Sequence, residues 1–139
     1  MDILGYGAAL LLVAATATAA PVAELEAMRA CAAKVLGVDE PADLPYVEVV
    51  PPDVVRWMAA RARLPRAHQV DGLYFRRTLV IVLSEAAGPE SLRHEVAHYV
   101  QHVAGLTPSG RIRPGDRRRL EREARAVAAA WPECRPLYL

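Results

Sequence analysis

The apolar positions of this chain change period along its length. Val22, Leu25, Met28, Ala32 and Val35 recur at helical spacing and stop at Gly37, so a first helix is predicted over residues 22–37. Tyr46 to Val50 is a short β-branched run and predicts a strand, and Pro51-Pro52-Asp53 then opens a helix through Arg63. Trp57 and Met58 on that helix are expected in the core. After a loop over Pro65 to Asp71, Gly72–Arg76 and Thr78–Leu83 read as two strands, with Arg76-Arg77 near the hairpin turn. The second strand is continuously apolar, so both of its faces should be covered; which strand is the sheet edge is not legible.

The next helix is amphipathic. Leu92, Val96, Tyr99, Val100 and Val103 fall on one side of the wheel, whereas His94, Glu95, His98, Gln101 and His102 gather on the other. Gly88-Pro89 or Ser91 starts it, and Gly105 with Pro108 ends it. A last helix is predicted from Leu120 to Trp131 by propensity, with an apolar arc of Leu120, Ala124, Val127, Ala128 and Trp131 and with Glu121 and Glu123 on opposite flanks. The Gly- and Pro-containing loop Gly105–Gly115 between these helices is a candidate flap.

The polar face of the first of these two helices carries chemistry. In His94-Glu95-Val96-Ala97-His98 the two imidazoles are four residues apart, so both ring nitrogens can meet one zinc ion at about 2.0–2.1 Å. Glu95 is rotated about 100° from the first imidazole, placed to act on a water as general base without ligating. A catalytic zinc needs a third protein donor and an open position. Helical phase leaves Glu121 and Glu123 equally eligible. His102 is the competing donor, but eight residues from His94 it drifts around the helix and is read as a core-edge or surface histidine.

With these residues in view, the chain resembles the gluzincins, zinc metallopeptidases in which an HExxH helix is followed by a helix supplying a glutamate. In many members that glutamate directly precedes an alanine, which matches Glu123-Ala124 and not Glu121-Arg122, so the resemblance implies His94, His98 and Glu123 as metal ligands, Glu95 as catalytic base and Zn2+ as cofactor. The string from His94 to Gln101, H-E-x-x-H-x-x-Q, is also similar to small bacterial gluzincin-like domains. The fold implied is α+β and zincin-like, a short β-sheet packed on the HExxH helix and a second glutamate-bearing helix. The activity implied is hydrolysis of a peptide or protein substrate, added as one more strand to a sheet edge. The acidic residue that some gluzincins place one turn after the glutamate is here Val127, so the imidazole buttress must come from elsewhere. Tyr74, His68 and Tyr99 are oxyanion-donor candidates by residue type alone. The alternative function is a catalytically inactive zinc-binding or envelope interaction protein that retains the HExxH site.

Compartment and size follow from the remaining segments. Residues 1–19 read as a signal peptide, with an apolar run at Ala8–Ala15 and an A-x-A site at Ala17–Ala19, although Asp2 and the lack of Lys or Arg leave an N-terminal anchor as the alternative. Cleavage leaves residues 20–139 as a single domain, exported to the periplasm or secreted, with no stable membrane span. Net charge is +1, and the Arg117-Arg118-Arg119 run is interrupted by nearby acids and lacks aromatic platforms, so no nucleic-acid partner is expected. Cys31 and Cys134, one near each end, suggest a single disulfide; no CxxC motif is present.

Overall fold

A computed structural model describes residues 21–137. The expected signal peptide therefore lies outside the described residues. The chain runs α1 (Val22–Leu36), β1 (Tyr46–Val50), α2 (Pro52–Arg61), a 3-10 turn (Ala67–Gln69), β2 (Gly72–Phe75), β3 (Val80–Ser84), α3 (Pro89–Val103), α4 (Pro114–Ala129) and the single turn α5 (Trp131–Cys134). It is a small α+β fold, as expected.

The continuous apolar run becomes the central strand. The sheet order is β1-β3-β2, with β1 parallel to β3 and β2 antiparallel to it. Alternation sends Ile81 and Leu83 to one face and Val82 to the other, and all three are buried. On the first face Ile81 and Leu83 meet α1, α3 and α4 through Met28, Val96, Val100 and Ala124. On the second, Val82 and Val50 meet Val55 and Met58 of α2, with Leu73 and Phe75 alongside. Each large side chain so buried contributes about 1.5–3 kcal/mol.

Not every expected core position is inside. Trp57 is 49% exposed because α2 turns Val55, Met58 and Ala59 toward the sheet, leaving the Trp57 ring beneath the Arg61 guanidinium at 5.6 Å. Val22, Val35 and Val103 are also exposed, each at or near a helix end beyond its neighbour's reach. Pro114 starts α4 six residues earlier than expected, its fixed φ suiting a first helical position. The shortened loop is tied at both sides: the Leu106 N–H donates to Gln101 O, the Arg119 Nη2 to Leu106 O and the Arg76 Nη1 to Pro108 O.

Cys31 and Cys134 form a disulfide with a Cα–Cα distance of 5.4 Å across 103 residues of sequence. It ties α1 to α5 and so fixes the end of α4 against the body. A disulfide hints at an oxidising environment. No helix among the described residues is long and apolar enough to cross a membrane.

Candidate metal centre

The polar face of α3 is covered rather than solvated. Burying Leu92, Val96, Tyr99 and Val100 against the sheet turns His94 and His98 toward α4, and α4 buries Leu120, Ala124 and Val127 in the same core. Its two acidic flanks then meet α3 at different places. Glu121 comes to the imidazoles: its Oε2 lies 3.2 Å from His94 Nε2 and its Oε1 3.0 Å from His98 Nε2. The two Nε2 atoms are 3.1 Å apart.

These three side chains could hold a metal ion. Donors around a tetrahedral cation at about 2.0–2.1 Å sit roughly 3.3 Å from one another, close to the 3.1 Å between the two Nε2 atoms, and the Glu121 carboxylate presents one oxygen to each imidazole. Electrostatics points the same way. Hydrogen bonds from both imidazoles hold the Glu121 carboxyl far below the usual carboxylate range. Burial works against a charged His98, yet Glu121, Glu95 and Gln101 outweigh it and its pKa is raised. A site that attracts a proton this way also attracts a cation.

The expected third donor, Glu123, does not join the imidazoles. Two residues from Glu121, it is rotated about 200° around the helix. Its Oε1 accepts from Arg119 Nη1 at 3.1 Å and its Oε2 from Gln101 Nε2 at 3.0 Å. The Glu-Ala pair that singled it out is decided by packing instead: Ala124 is fully buried, and the axial position of α4 brings the other flank to the metal-facing side. One turn after Glu121 stands Arg125, and Val127 is in the core.

Glu123 thereby belongs to the buttress that sequence reasoning left unassigned. Gln101 is fully buried. Its amide nitrogen gives one hydrogen to Leu120 O at 2.9 Å and the other to Glu123, so its oxygen faces His98 Nδ1 at 2.8 Å. An amide oxygen only accepts; Nδ1 must therefore carry a hydrogen, so the proton the ring gives up to make room for a cation is the one on Nε2, beside Glu121. The H-x-x-Q spacing contained this signal, since a residue three after His98 shares its helix face.

Glu95 is 8% exposed and lines the same cleft as His94, His98 and Glu121. Burial raises its pKa, against the lowering influence of His98 and His94. Its room is provided by β2. A Cβ at Gly72 would stand 3.1 Å from Glu95 Cγ and 3.1 Å from Leu83 Cδ2, closer than packed side chains tolerate without shifting. A glycine at the first position of the predicted strand was the available clue.

The other candidates separate cleanly. His102 Nδ1 shares a 2.7 Å hydrogen bond with Tyr74 Oη and stands outside the donor cluster. Tyr99 Oη donates to Asp43 O, away from the cleft, and His68 does not line it. Tyr74 does line it. Comparison of the chain with protein-family profiles, characterised proteins and solved structures gave no match.

Proposed function

We propose that this chain is an exported zinc-dependent peptidase of gluzincin type, with His94, His98 and Glu121 as metal ligands and Glu95 as general base. The observation that carries the reading is the convergence of His94 Nε2, His98 Nε2 and the Glu121 carboxylate beside a buried carboxyl one residue from the first imidazole. A divalent cation bound there supplies positive charge beside a scissile carbonyl and an attacking water, and lowers the pKa of that water toward neutrality. Glu95 takes the proton of the water at a carboxylate oxygen and passes it to the departing amine. Gln101, held by Leu120 O and Glu123, keeps His98 in the tautomer that offers Nε2. Tyr74, on the cleft wall, is the oxyanion donor that the residue types allow. Export fits the Cys31–Cys134 disulfide.

The test joins metal analysis to peptide hydrolysis. His94→Ala, His98→Ala and Glu121→Ala should each lose zinc affinity by more than about 100-fold, whereas Glu123→Ala should lose about tenfold by loosening the Gln101 buttress. Glu95→Gln should bind zinc and release no product from a peptide library read by mass spectrometry. A Glu95→Gln protein with full activity would remove the proposed mechanism. Zinc binding without turnover by the unaltered chain would leave a metal-binding interaction protein.

A further inference from the structure

The cleft above the candidate metal centre is strongly one-sided in charge. It encloses about 1110 Å3 between α3, α4 and the segment leading into β2. Arg66, Arg76, Arg93, Arg117 and Arg125 line it, whereas outside the centre itself its only carboxylates are Asp71 and Glu90. Asp71 lies 3.9 Å from Arg56. Among the described residues, Arg66, Arg93, Arg117 and Arg125 have no carboxylate within ion-pair distance, although Arg29 and Arg119 elsewhere are paired with Glu40 and Glu123. A chain of net charge +1 has thus gathered unneutralised guanidinium groups around one concavity.

Three of these arginines are placed as more than a diffuse field. Arg125 stands one turn after Glu121, and Arg117 one turn before it, on the stripe of α4 that faces the cleft; each is about 6 Å along the axis from the third donor. Arg93 adjoins His94 on the opposite wall. Its guanidinium lies over the Trp131 ring at 5.2 Å, which restrains it, and its buried Nε has no hydrogen-bond partner. A planar, restrained guanidinium without a carboxylate partner is a ready receptor for one.

We infer that the cleft selects a peptide bearing carboxylate groups next to the bond placed at the metal centre, with Arg93 and Arg125 as the specificity-determining pair. This rests on the peptidase reading. A neutral or basic peptide would leave water as the partner of these guanidinium groups, whereas a carboxylate forms charge-assisted hydrogen bonds with them. The carboxylate can be an acidic side chain or the terminus of the substrate, and the chemistry at the arginines is the same.

Binding to the zinc-loaded full chain carrying Glu95→Gln tests this, read by fluorescence anisotropy of labelled peptides. A glutamate-containing peptide amidated at its C-terminus should bind about tenfold tighter than its glutamine counterpart if side chains are read. A neutral peptide with a free C-terminus should gain similarly over its amide if the terminus is read. Either preference should weaken with added salt, fall in Arg93→Gln and Arg125→Gln, and disappear in the double variant, while Arg118→Gln, outside the cleft, keeps it. Unfolding temperatures of the variants establish that they are folded, and Arg93→Lys, which retains charge without the planar fork, should fall between. Equal binding of acidic and neutral peptides overturns the inference, as does tighter binding of an oligonucleotide of equal charge. Should the unaltered chain cleave neutral and acidic peptides equally, the specificity fails and the peptidase stands. Should it bind acidic peptides through Arg93 and Arg125 without cleaving them, the peptidase reading fails and the carboxylate receptor stands.

Discussion

Gln101 illustrates how much can hang on one buried amide. It accepts from His98 Nδ1 and donates to Leu120 O and Glu123 Oε2, so replacing it with leucine removes three hydrogen bonds and leaves His98 Nδ1 without its acceptor. An unmade buried hydrogen bond costs about 1–3 kcal/mol, and loss of a ligand's buttress costs about 10- to 100-fold in metal affinity. Gln101→Leu should therefore lower both the stability to urea and the zinc affinity measured by calorimetry. Gly72 acts by absence. Its replacement by alanine forces the Glu95 side chain or Leu83 to give by a few tenths of an ångström, since a Cβ would meet both at 3.1 Å. Misplacement of a catalytic group on this scale costs on the order of tenfold in rate, so Gly72→Ala should lower kcat and leave zinc affinity unchanged.

At the scale of elements, the contact of β2 with α3 is as important as that between the two helices. Tyr74 reaches from β2 to His102 and packs edge-on to Tyr99 with ring centroids 6.0 Å apart. Burial, with the neighbouring Tyr99, pushes the Tyr74 hydroxyl up to about 12 against the opposing pull of Arg76. The folded state thus favours the protonated phenol. Its contribution to stability is fully present below about pH 10, the unfolded value, and is lost as pH rises toward about 12. Thermal unfolding followed across this range should show a decline that is shallower in Tyr74→Phe. The slope should not vanish, because burial also raises the pKa of Tyr99. The helices and strands themselves were largely legible, since their periods follow from which face is covered. Trp57 was not, because a helix with several apolar positions can place its arc on either of two nearby phases, and only the neighbouring sheet selects one.

For the molecule as a whole, the disulfide and the metal centre share a structural element. Cys134 lies just beyond α4, so the Cys31 link restrains the helix that carries Glu121. In the chain-entropy view, closing a loop of about 100 residues is worth up to about 4.7 kcal/mol, and strain or residual structure reduces it to about 2–4 kcal/mol in practice. Cys31→Ser with Cys134→Ser should lose stability in that range in chemical denaturation. Zinc at about 100 times its dissociation constant should restore about 2.7 kcal/mol.

The sequence alone determined the α+β composition, the strand that both layers cover, the helix that pairs His94 with His98, and the single disulfide partner available to Cys31, because each depends on local period, spacing or count. Tertiary structure decided the rest of the centre. Glu121 and Glu123 have equal access by helical phase, and the choice lies in how α4 is set across α3 by Leu120, Ala124, Val127 and the loop whose Leu106 is bound to Gln101 O and Arg119. Likewise the seating of Gln101 on Leu120 O and Glu123, the room Gly72 leaves for Glu95 and the clustering of arginines arise only when segments distant in sequence meet: hydrogen bonds and charges act over a few ångströms of space, and no spacing along one helix encodes the position of the other.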